Sequence, residues 1–283
     1  MTLICVFGET DWGPCPDSDV ICISSCRDLC LRVTMTGLEV FLGAWKSVDG
    51  VIWRHQFDQD VSRETALLQM IDYSGVPSIN AAQSVLAYGG RLAGMVALKR
   101  GGLEIQEQII AVGSDALSYT VPKFPAVLKV GNAHMGYGKA LVKDEESWRD
   151  LADVAMLSDD FCCIEPFVPY RRDVRILSFM GTIYAIDRVP SGWKANVQPV
   201  AVHRIEPPHE LVELGHSALA ILGVDIVGLD FLQANDGRWI LLEANLSPGL
   251  DIPGLSLRGP LLAEMTRRIR ELAKGNPGSM LIQ

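Results

Sequence analysis

Two apolar strands flank an Asp-Gly dipeptide in residues 228–245, which read GLDFLQANDGRWILLEAN. The pattern predicts a β-hairpin, because Asp-Gly favours the tight two-residue turns that join antiparallel strands. A type I′ turn at Asp236 and Gly237 places Asp230 directly opposite Glu243 on one face of the hairpin. Two carboxylates therefore meet across a pair of strands that are otherwise apolar.

Facing carboxylates need compensation, because like charges directly opposite each other destabilise a sheet by up to ~1 kcal/mol. A divalent cation provides it, since Mg²⁺ binds one or two carboxylates together with phosphate oxygens. Asn245 follows Glu243 by two residues and shares its face, so Asp230, Glu243 and Asn245 form a candidate metal site. Three alternatives remain open: the turn lies one residue away, the acids share a proton, or they meet arginines. The other face carries apolar side chains suited to a core, namely Leu229, Phe231 and Leu242.

A second strand-like segment runs into a glycine-rich loop in residues 126–139, which read AVLKVGNAHMGYGK. The loop contains three glycines, Gly131, Gly136 and Gly138. Glycines let backbone amides approach an anion, and Lys129 adds a positive charge from the strand, so the segment predicts a hairpin folded over phosphates. It is not a P-loop, because Tyr137 stands where that motif requires lysine. An ordinary β-turn rich in glycine is the alternative.

Basic side chains gather in residues 171–194, although the chain as a whole has Lys+Arg 25 against Asp+Glu 34. The members of this group are Arg171, Arg172, Arg175, Arg188 and Lys194. Arg175 lies inside an apolar strand-like stretch, which favours a role beside a phosphate group over simple solvent exposure. For Arg171 and Arg172 a solvated surface is an equal alternative.

The composition is typical of a folded chain with two or three packed units. Its 283 residues are 48% hydrophobic and 21% charged, and no apolar run approaches the ~18 residues of a membrane span. A net charge of −9 disfavours nucleic acid as a partner, because phosphate backbones are repelled. Seven cysteines without a CxxC pair, and a start without a basic leader, favour a cytoplasmic location.

Strand-like and helix-like segments alternate through the first part of the chain. Helices are predicted over 24–37, 62–73 and 82–99, between strands near 3–7, 20–23, 38–42 and 51–53. Arg54 and His55 follow the last of these strands, at the sheet edge where α/β folds bind ligands. From Leu103 strands joined by loops predominate, and a mixed region with a helix over 210–222 follows Pro166.

Several of these motifs, in this order and spacing, resemble the ATP-grasp superfamily, and within it synapsins and the RimK-type carboxylate–amine ligases. The segments similar to synapsins are residues 10–12 (TDW), 75–80 (GVPSIN), 124–139, 165–167 (EPF), 173–175 (DVR) and 193–196 (WKAN). Residues 242–249, LEANLSPG, are similar to the metal-binding strand of RimK-type ligases. The likeness spans residues 1–255.

The resemblance implies an α/β (α+β) chain with the ATP-grasp fold, in which a Rossmann-like N-terminal lobe precedes two α+β lobes that enclose the nucleotide. The implied boundaries are 1–95 for the pre-ATP-grasp lobe, 96–165 for the central lobe with the glycine-rich loop, and 166–283 for the C-terminal lobe with the metal site.

The resemblance also implies a nucleotide site. Lys129 would contact the phosphates beneath a lid formed by the loop from Gly131 to Gly138, and residues 165–168 would contact adenine. Gly90-Arg91 occupies the place where the family often has Asp-Lys, so that phosphate contact moves to Arg91. The complete nucleotide-binding set comprises Arg91, Lys129, Gly131, His134, Gly136, Gly138, Lys139, Glu165, Pro166, Phe167, Val168 and Asp173.

Catalytic and metal-binding roles follow from the same resemblance. Arg175 would stabilise the transferring phosphoryl group, with Arg188 and Asn196 facing it. One or two Mg²⁺ would be held by Asp230, Glu243 and Asn245, although such oxygen ligands also suit Mn²⁺ or Ca²⁺. RimK-type ligases tend to carry Arg-Gly-Gly after the asparagine that matches Asn196, and this chain lacks it, as synapsins do. The acceptor pocket is therefore unassigned.

Two functions of different class follow from the resemblance. The first is an ATP-dependent ligase, in which a carboxylate is activated as an acyl phosphate and an amine then forms the amide. The second is a synapsin-like module whose ATP state controls assembly or a partner without turnover. The expected ligands are ATP, a divalent cation, and small-molecule or peptide carboxylate and amine substrates. A homodimer is compatible with the resemblance, and no nucleic-acid or membrane partner is expected.

Overall fold

The computed structural model describes residues 4–7, 20–23, 29–33, 38–42, 46–48, 50–55, 61–132, 136–158, 160–195, 197, 199–250 and 258–275. Residues 10–12, His134 and Asn196, which belong to the predicted motifs and site, lie outside these ranges. Among the described helices, none combines the length and the apolar character that crossing a bilayer requires.

The described elements are named in chain order. The strands are β1 (Ile4–Phe7), β2 (Val20–Ile23), β3 (Leu29–Val33), β4 (Leu38–Leu42), β5 (Lys46–Ser47), β6 (Gly50–Trp53), β7 (Ser78–Ile79), β8 (Ile109–Ala111), β9 (Ala126–Val130), β10 (Lys139–Val142), β11 (Cys162–Pro166), β12 (Tyr170–Phe179), β13 (Thr182–Val189), β14 (Ala201–Ile205), β15 (Ile226–Ala234) and β16 (Trp239–Asn245). The helices are α1 (Val61–Ser74), α2 (Ala82–Tyr88), α3 (Arg91–Arg100), α4 (Ser114–Ser118), α5 (Glu145–Ala155), α6 (His209–Leu222) and α7 (Arg258–Gly275).

The first sheet is parallel, with the strand order β2-β1-β6-β7. Leu68 and Ile71 of α1 and Val85 of α2 pack against Val51 and Trp53 of β6. Parallel strands covered by helices are what the Rossmann-like expectation for the N-terminal region requires.

A second, antiparallel sheet with the order β3-β4-β5 lies where a helix was predicted over 24–37. Leu29 pairs with Leu42 and Val33 with Leu38, so the described part of that range is a strand. The helix prediction was wrong because pairing with β4 satisfies the backbone of β3, and such pairing outweighs weak helix propensity.

Two helices replace the single helix predicted over 82–99. Helix α2 ends at Tyr88 and α3 begins at Arg91, with Gly89 and Gly90 between them. Glycine destabilises a helix interior by roughly 0.5–1 kcal/mol relative to alanine, and two in succession favour a break. The break places Arg91 at the first turn of α3.

The third sheet is antiparallel, with the order β10-β9-β11-β8. Helix α5 packs on it through Trp148, Ala152 and other apolar residues. The helix starts at a capping box, in which the Asp144 side chain accepts from Ser147 N and the Ser147 hydroxyl accepts from Asp144 N.

The fourth sheet has five strands in the order β14-β13-β12-β15-β16. Strand alternation gives it two different faces. One face presents Val174, Ile176, Leu229 and Phe231 to a core shared with α3 and α6. The other face carries Asp173, Arg175 and Asp230 at one end and the apolar Leu177 and Phe179 at the other. The charged part of the sheet is thus built on a buried apolar layer.

Two contacts join the N-terminal sheet to the fourth sheet. Met265 and Ile269 of α7 share a core with Ile52 and Ile79 of the first sheet, so the last helix packs on the first lobe. Asn80 is buried and binds both strands of the hairpin β15–β16. The division at residues 95 and 165 stays a prediction, since α3, which spans residue 95, packs against α2 and also against α6 and β16.

Asn80 uses both ends of its amide in this contact. Its Nδ2 donates to the carbonyls of Ile226 at 2.8 Å and Leu246 at 2.9 Å. Its Oδ1 accepts from the backbone amides of Asp225 and Ile226, both at 2.9 Å. One side chain therefore fixes the start of β15 and the end of β16 relative to the first lobe.

We expect Asn80→Ala to lower the free energy of unfolding by about 2–4 kcal/mol, because it leaves buried backbone groups without partners. Urea denaturation followed by fluorescence measures the change. Asn235→Ala, at an exposed position in the β15–β16 turn, is the matched control and should change stability by less than about 1 kcal/mol. Equal losses in both variants would contradict the assignment.

Candidate functional site

The predicted hairpin is present as β15 and β16, but its turn is one residue longer than predicted. Ala234 N donates to Arg238 O at 3.0 Å, and Gly237 N donates to Ala234 O at 2.9 Å. Gly237 has a φ of 95°, the left-handed conformation that closes a three-residue hairpin loop. The two-residue type I′ turn predicted at Asp236 and Gly237 is therefore wrong, because the loop comprises three residues and begins at Asn235.

A β-bulge restores the predicted pairing of the two acids. Phe231 pairs with Leu241, whereas Asp230 pairs with Glu243, so Leu242 is an extra residue on β16. The longer turn shifts the register by one residue and the bulge shifts it back. Leu242, predicted for the core face, lines the cleft between the third and fourth sheets instead, because the bulge interrupts strand alternation.

Two arginines converge on Asp230. Arg175, which faces Asp230 on β12, donates to both of its carboxylate oxygens at 2.8 Å. Arg188 of β13 donates to Asp230 Oδ1 at 2.9 Å and to Asp173 Oδ1 through its Nε at 3.1 Å. The alternative in which the acids meet arginines is thus correct for Asp230. Four side chains on three adjacent strands form one ionic network.

The acids of the network are buried, since Asp173 is 0% and Asp230 is 2% exposed, whereas the side chain of Arg175 is 27% exposed. The charge of Asp230 raises the pKa of the Arg175 guanidinium, while burial acts in the opposite direction. Buried charges persist only when they are paired, and removing one partner typically costs about 3–5 kcal/mol. Separating either arginine from its acid is therefore unfavourable, so each guanidinium group is held in one position.

Two lysines face each other on the opposite side of the cleft. Lys129 of β9 pairs with Lys139 of β10 in the antiparallel register. Lys129 Nζ is 2.5 Å from Glu165 Oε1, and Lys139 Nζ is 3.3 Å from Glu243 Oε2. Burial lowers the pKa of Lys139, and the charge of Glu243 opposes that shift. The contact between Lys139 and Glu243 connects the third sheet to the fourth across the cleft.

The glycine-rich loop is held from two sides. Arg91 donates from Nη1 to the carbonyl of Gly131 and from its backbone N to Asn132 Oδ1 at 3.0 Å. On the other side, Lys194 Nζ donates to the carbonyl of Gly136 at 3.1 Å. Gly136 has a φ of 80°, and a Cβ there would lie 2.2 Å from Val197 Cγ2. The loop thus approaches the fourth-sheet side at a point where only glycine fits.

A mostly apolar cleft lies next to Lys129 and Lys139. It is lined from the third sheet, the β11–β12 join, the loop after β13 and the hairpin β15–β16. Its apolar lining residues are Val127, Pro166, Phe167, Val168, Tyr170, Trp193, Ala195, Leu232, Ile240, Leu241 and Leu242. Such a cleft can accept a flat apolar ring, with the charged groups at one end.

Glu165 makes contacts other than the predicted contact with a base. It is buried, pairs with Lys129 and accepts from Gln108 Nε2 at 3.0 Å. Its observed effect is to hold the lysine that points into the cleft. The backbone N of Phe167 donates to the carbonyl of Pro125 at 2.9 Å. The adenine contacts of residues 165–168 stay a prediction.

The predicted metal ligands offer carboxylate and amide oxygens, which are the donors that a hard divalent cation prefers. Asp230 and Glu243 are cross-strand neighbours, and Asn245 pairs with Gly228 two residues further along the hairpin. Asn245 Oδ1 accepts from Ser247 N at 2.8 Å and retains a second lone pair. Within the described residues, no group of three or more His, Cys, Asp or Glu side chains gathers as a metal site. An ion here would therefore need an amide and phosphate oxygens in addition to the two acids.

The structure brings part of the predicted site together around one cleft: Lys129, Lys139 and residues 165–168 line it, and Glu243 contacts Lys139. Asp173 is a partner of Arg188, and not a group open to a nucleotide. Sequence reasoning missed Tyr170, Asn132 and Leu232, since nothing in their local pattern distinguishes them from ordinary strand or loop residues. It identified Trp193 and Lys194 only within a motif or a basic group, although the first lines the cleft and the second binds the glycine-rich loop.

The fold and this cleft define an ATP-grasp protein, and solved structures agree. The D-alanine–D-alanine ligase from Coxiella burnetii has a TM-score of 0.68 at 13% identity, with 96% of this chain and 94% of that chain covered. The ATP-grasp ligase PsnB, in complex with precursor peptide PsnA2 and AMPPNP, has a TM-score of 0.66 at 15% identity, with 95% and 99% covered. The expected ATP-grasp fold is confirmed.

Residues 103–251 match the family described as the synapsin ATP-binding domain, which is more than half of the chain. The chain therefore belongs to this family. A glutamate–LysW ligase ArgX from Sulfolobus acidocaldarius is 24% identical over 190 residues, covering 63% of this chain and 67% of the relative. A probable alpha-L-glutamate ligase from Enterobacter sp. is 24% identical over 216 residues, covering 72% of each. The predicted likeness to both synapsins and RimK-type ligases is confirmed.

We expect Gly136→Ala to weaken binding of a non-hydrolysable ATP analogue about tenfold, because the added methyl group forces the loop away from Val197. Isothermal titration calorimetry measures the affinity. Gly102→Ala is the matched control, since Gly102 also has a positive φ of 97° but nothing lies within 4 Å of the position that its Cβ would take. A similar loss of affinity in both variants would assign the effect to backbone strain alone.

Proposed function

We propose that this protein is an ATP-dependent carboxylate–amine ligase. A substrate carboxylate attacks the γ-phosphate to give an acyl phosphate and ADP, and an amine then displaces phosphate to form an amide. The observation that carries the proposal is the charged face of the fourth sheet, where Arg175 and Arg188 converge on Asp230 beside Glu243. The relatives named as glutamate ligases support the same reaction class.

Nucleotide binding in this proposal uses both sides of the cleft. The apolar lining accepts the base, and Lys129 and Lys139 meet the phosphates from the third sheet. The loop from Gly131 to Gly138 covers the phosphates and excludes water, which would otherwise hydrolyse an acyl phosphate. Arg91 donates to the carbonyl of Gly131 and Lys194 to that of Gly136, and these two contacts would hold the loop over the phosphates.

Phosphoryl transfer requires positive charge placed in advance around the transferring group. Arg175 and Arg188 supply it, and each is already bound by a buried acid before substrate arrives. Because these groups need not reorganise, they stabilise the developing charge more than mobile side chains would. Asp230 therefore has two roles in the proposal, as a partner of the arginines and as a ligand at the metal site.

Asp230, Glu243 and Asn245 would hold Mg²⁺, or Mn²⁺, at the phosphate end of the cleft. When bound there, the ion neutralises phosphate charge and orients the phosphate oxygens. Lys139 contacts Glu243 and would therefore meet the same phosphates.

Two relatives name glutamate as one of the molecules that they join. We therefore propose L-glutamate as the amine substrate and a peptide or small molecule with a free carboxylate as its partner. The test pair is N-acetyl-L-glutamyl-L-glutamate as the acid and L-glutamate as the amine. ATP-dependent amide formation from this pair, detected by mass spectrometry, is the expected result.

A second candidate is a synapsin-like module that binds ATP without turnover, and the family that matches residues 103–251 favours it. The two candidates differ in one measurement. Substrate-stimulated ADP release supports the ligase. Tight ATP binding without stimulated ADP release, together with an ATP-dependent change of oligomeric mass, would support the module.

We expect Arg175→Gln to reduce substrate-stimulated ADP release by about 100-fold, because one of the two charges at the phosphoryl group is lost. Coupled ADP detection measures the rate. Arg175→Lys keeps the charge but loses the two-pronged bond to Asp230, so it should recover only part of the activity. Arg171→Gln, an exposed arginine on the same strand, is the control and should retain full activity. If Arg175→Gln releases ADP as fast as Arg171→Gln, the proposed role of Arg175 is contradicted.

We expect Glu243→Gln to weaken Mg²⁺-dependent ATP binding about tenfold, because the substitution removes one anionic ligand. Binding of ATP in EDTA should change far less, since Lys129 and the apolar cleft remain. Titration of Mg²⁺ at fixed ATP measures the difference. Glu104→Gln, at an ion pair with Arg238 outside the cleft, is the matched control. Unchanged Mg²⁺ dependence in Glu243→Gln would move the metal site elsewhere.

A further inference from the structure

A histidine and a buried acid form a pair at the carboxyl end of β6. His55 Nδ1 lies 2.7 Å from Glu64 Oε1. The side chain of Glu64, in the first turn of α1, is 3% exposed, whereas that of His55 is 30% exposed. A carboxylate that binds one ring nitrogen fixes the tautomer and directs proton exchange to the other. Nδ1 lies within ion-pair distance of the acid, so Nε2 is the ring nitrogen that does not face Glu64.

The position of His55 is fixed relative to the phosphate end of the cleft. Its carbonyl accepts from Ser247 Oγ at 2.9 Å and from Trp53 Nε1 at 3.0 Å. Ser247 N in turn donates to Asn245 Oδ1 at 2.8 Å. Two hydrogen bonds thus link the histidine to the end of the strand that carries Glu243.

The groups along the hairpin are ordered from the apolar end of the cleft to its charged end. Leu232 lines the apolar part, Asp230 lies next, and Gly228 pairs with Asn245 at the far end. The four residue steps from Leu232 to Gly228 correspond to ~13 Å of strand. His55 is tied to that far end, away from the part that accepts the base. A second substrate that enters beside His55 therefore meets the phosphate end of the nucleotide first.

We propose that His55, oriented by Glu64, is the base that accepts the proton of the attacking amine. The amine nitrogen bonds to the carbonyl carbon of the acyl phosphate, the bond from that carbon to the phosphate oxygen breaks, and inorganic phosphate leaves. The proton that the nitrogen loses moves to His55 Nε2. This inference rests on the proposed ligase function and assigns a residue to its second step.

The chemistry of the amine explains the need for such a base. An α-amino group is largely protonated near neutral pH, and only its unprotonated form attacks a carbonyl. The groups at the γ-phosphate, Arg175 and Arg188, are cations and cannot take a proton. Within the described part of the chain, His55 is the histidine linked to Asn245 by hydrogen bonds.

The alternative is that the pair of His55 and Glu64 only fixes β6 to α1. Hydroxylamine separates the two roles, because it is uncharged at neutral pH and attacks an acyl phosphate without a strong base. The acid is N-acetyl-L-glutamyl-L-glutamate with ATP and Mg²⁺, and the nucleophile is either L-glutamate or hydroxylamine. Amide and hydroxamate are measured separately on the full chain.

We expect His55→Asn to lower the rate of amide formation by roughly 100-fold, as is typical when a general base is removed, while hydroxamate formation stays within about threefold. Glu64→Gln should lower amide formation by about tenfold and also spare hydroxamate formation. His209→Asn is the matched control, since His209 forms an exposed pair with Glu213 at 3.8 Å on α6. It should affect neither product.

The outcomes are distinguishable. If the unsubstituted protein forms neither product, the proposed function fails and this inference fails with it. If it forms both and His55→Asn forms amide at the same rate, only the role of His55 is overturned. If His55→Asn loses both products to the same extent, the pair is structural, and a lowered melting temperature would accompany that result.

Discussion

Charges of opposite sign face each other across the cleft, and the position of every other group in the site depends on this arrangement. Lys129 and Lys139 stand opposite each other on one side, and Asp230 and Glu243 do so on the other. Either pair alone would be repulsive in a sheet. Each charge instead has a partner of opposite sign, and the contact between Lys139 and Glu243 brings the two sheets together. A triphosphate with a divalent cation carries the same alternation of charge, which is why such a cleft suits it.

The positions of the arginines depend on the same requirement that each buried charge has a partner of opposite sign. Buried Asp230 would be costly alone, and the two guanidinium groups that neutralise it are those needed around a phosphoryl group. Asp173 adds a further acid behind Arg188, so the cations are fixed by groups that lie deeper in the sheet. Their apolar support comes from the opposite face, where Val174 and Leu229 pack against the helices. Stability and function are therefore coupled, because the contacts that keep the network folded also orient its reactive side.

In the hairpin that carries these acids, two deviations from the predicted structure cancel, so that the predicted pairing of Asp230 with Glu243 is kept. The turn is one residue longer than Asp-Gly suggested, which by itself would have placed Asp230 opposite a different residue. A bulge at Leu242 shifts the register back and also turns Leu242 into the cleft. Bulges carry no strong sequence signal, since they depend on how the strand bends against its neighbours. Local pattern predicted the pairing of the acids, but not the path by which the chain achieves it.

The sequence by itself determined the strands β9 and β15 and the helix α6, and it singled out several residues that line the cleft, such as Lys129 and Phe167. These features are local or periodic, so hydrophobic alternation, capping residues and glycine spacing specify them. Only the tertiary structure decided the partners: that Asp230 binds two arginines, that Glu165 holds Lys129, and that Asn80 ties the first lobe to the hairpin. It also decided that residues 29–33 form a strand. Such contacts join residues far apart in the chain, and their energies depend on burial and on mutual distance, which exist only once the sheets are packed together.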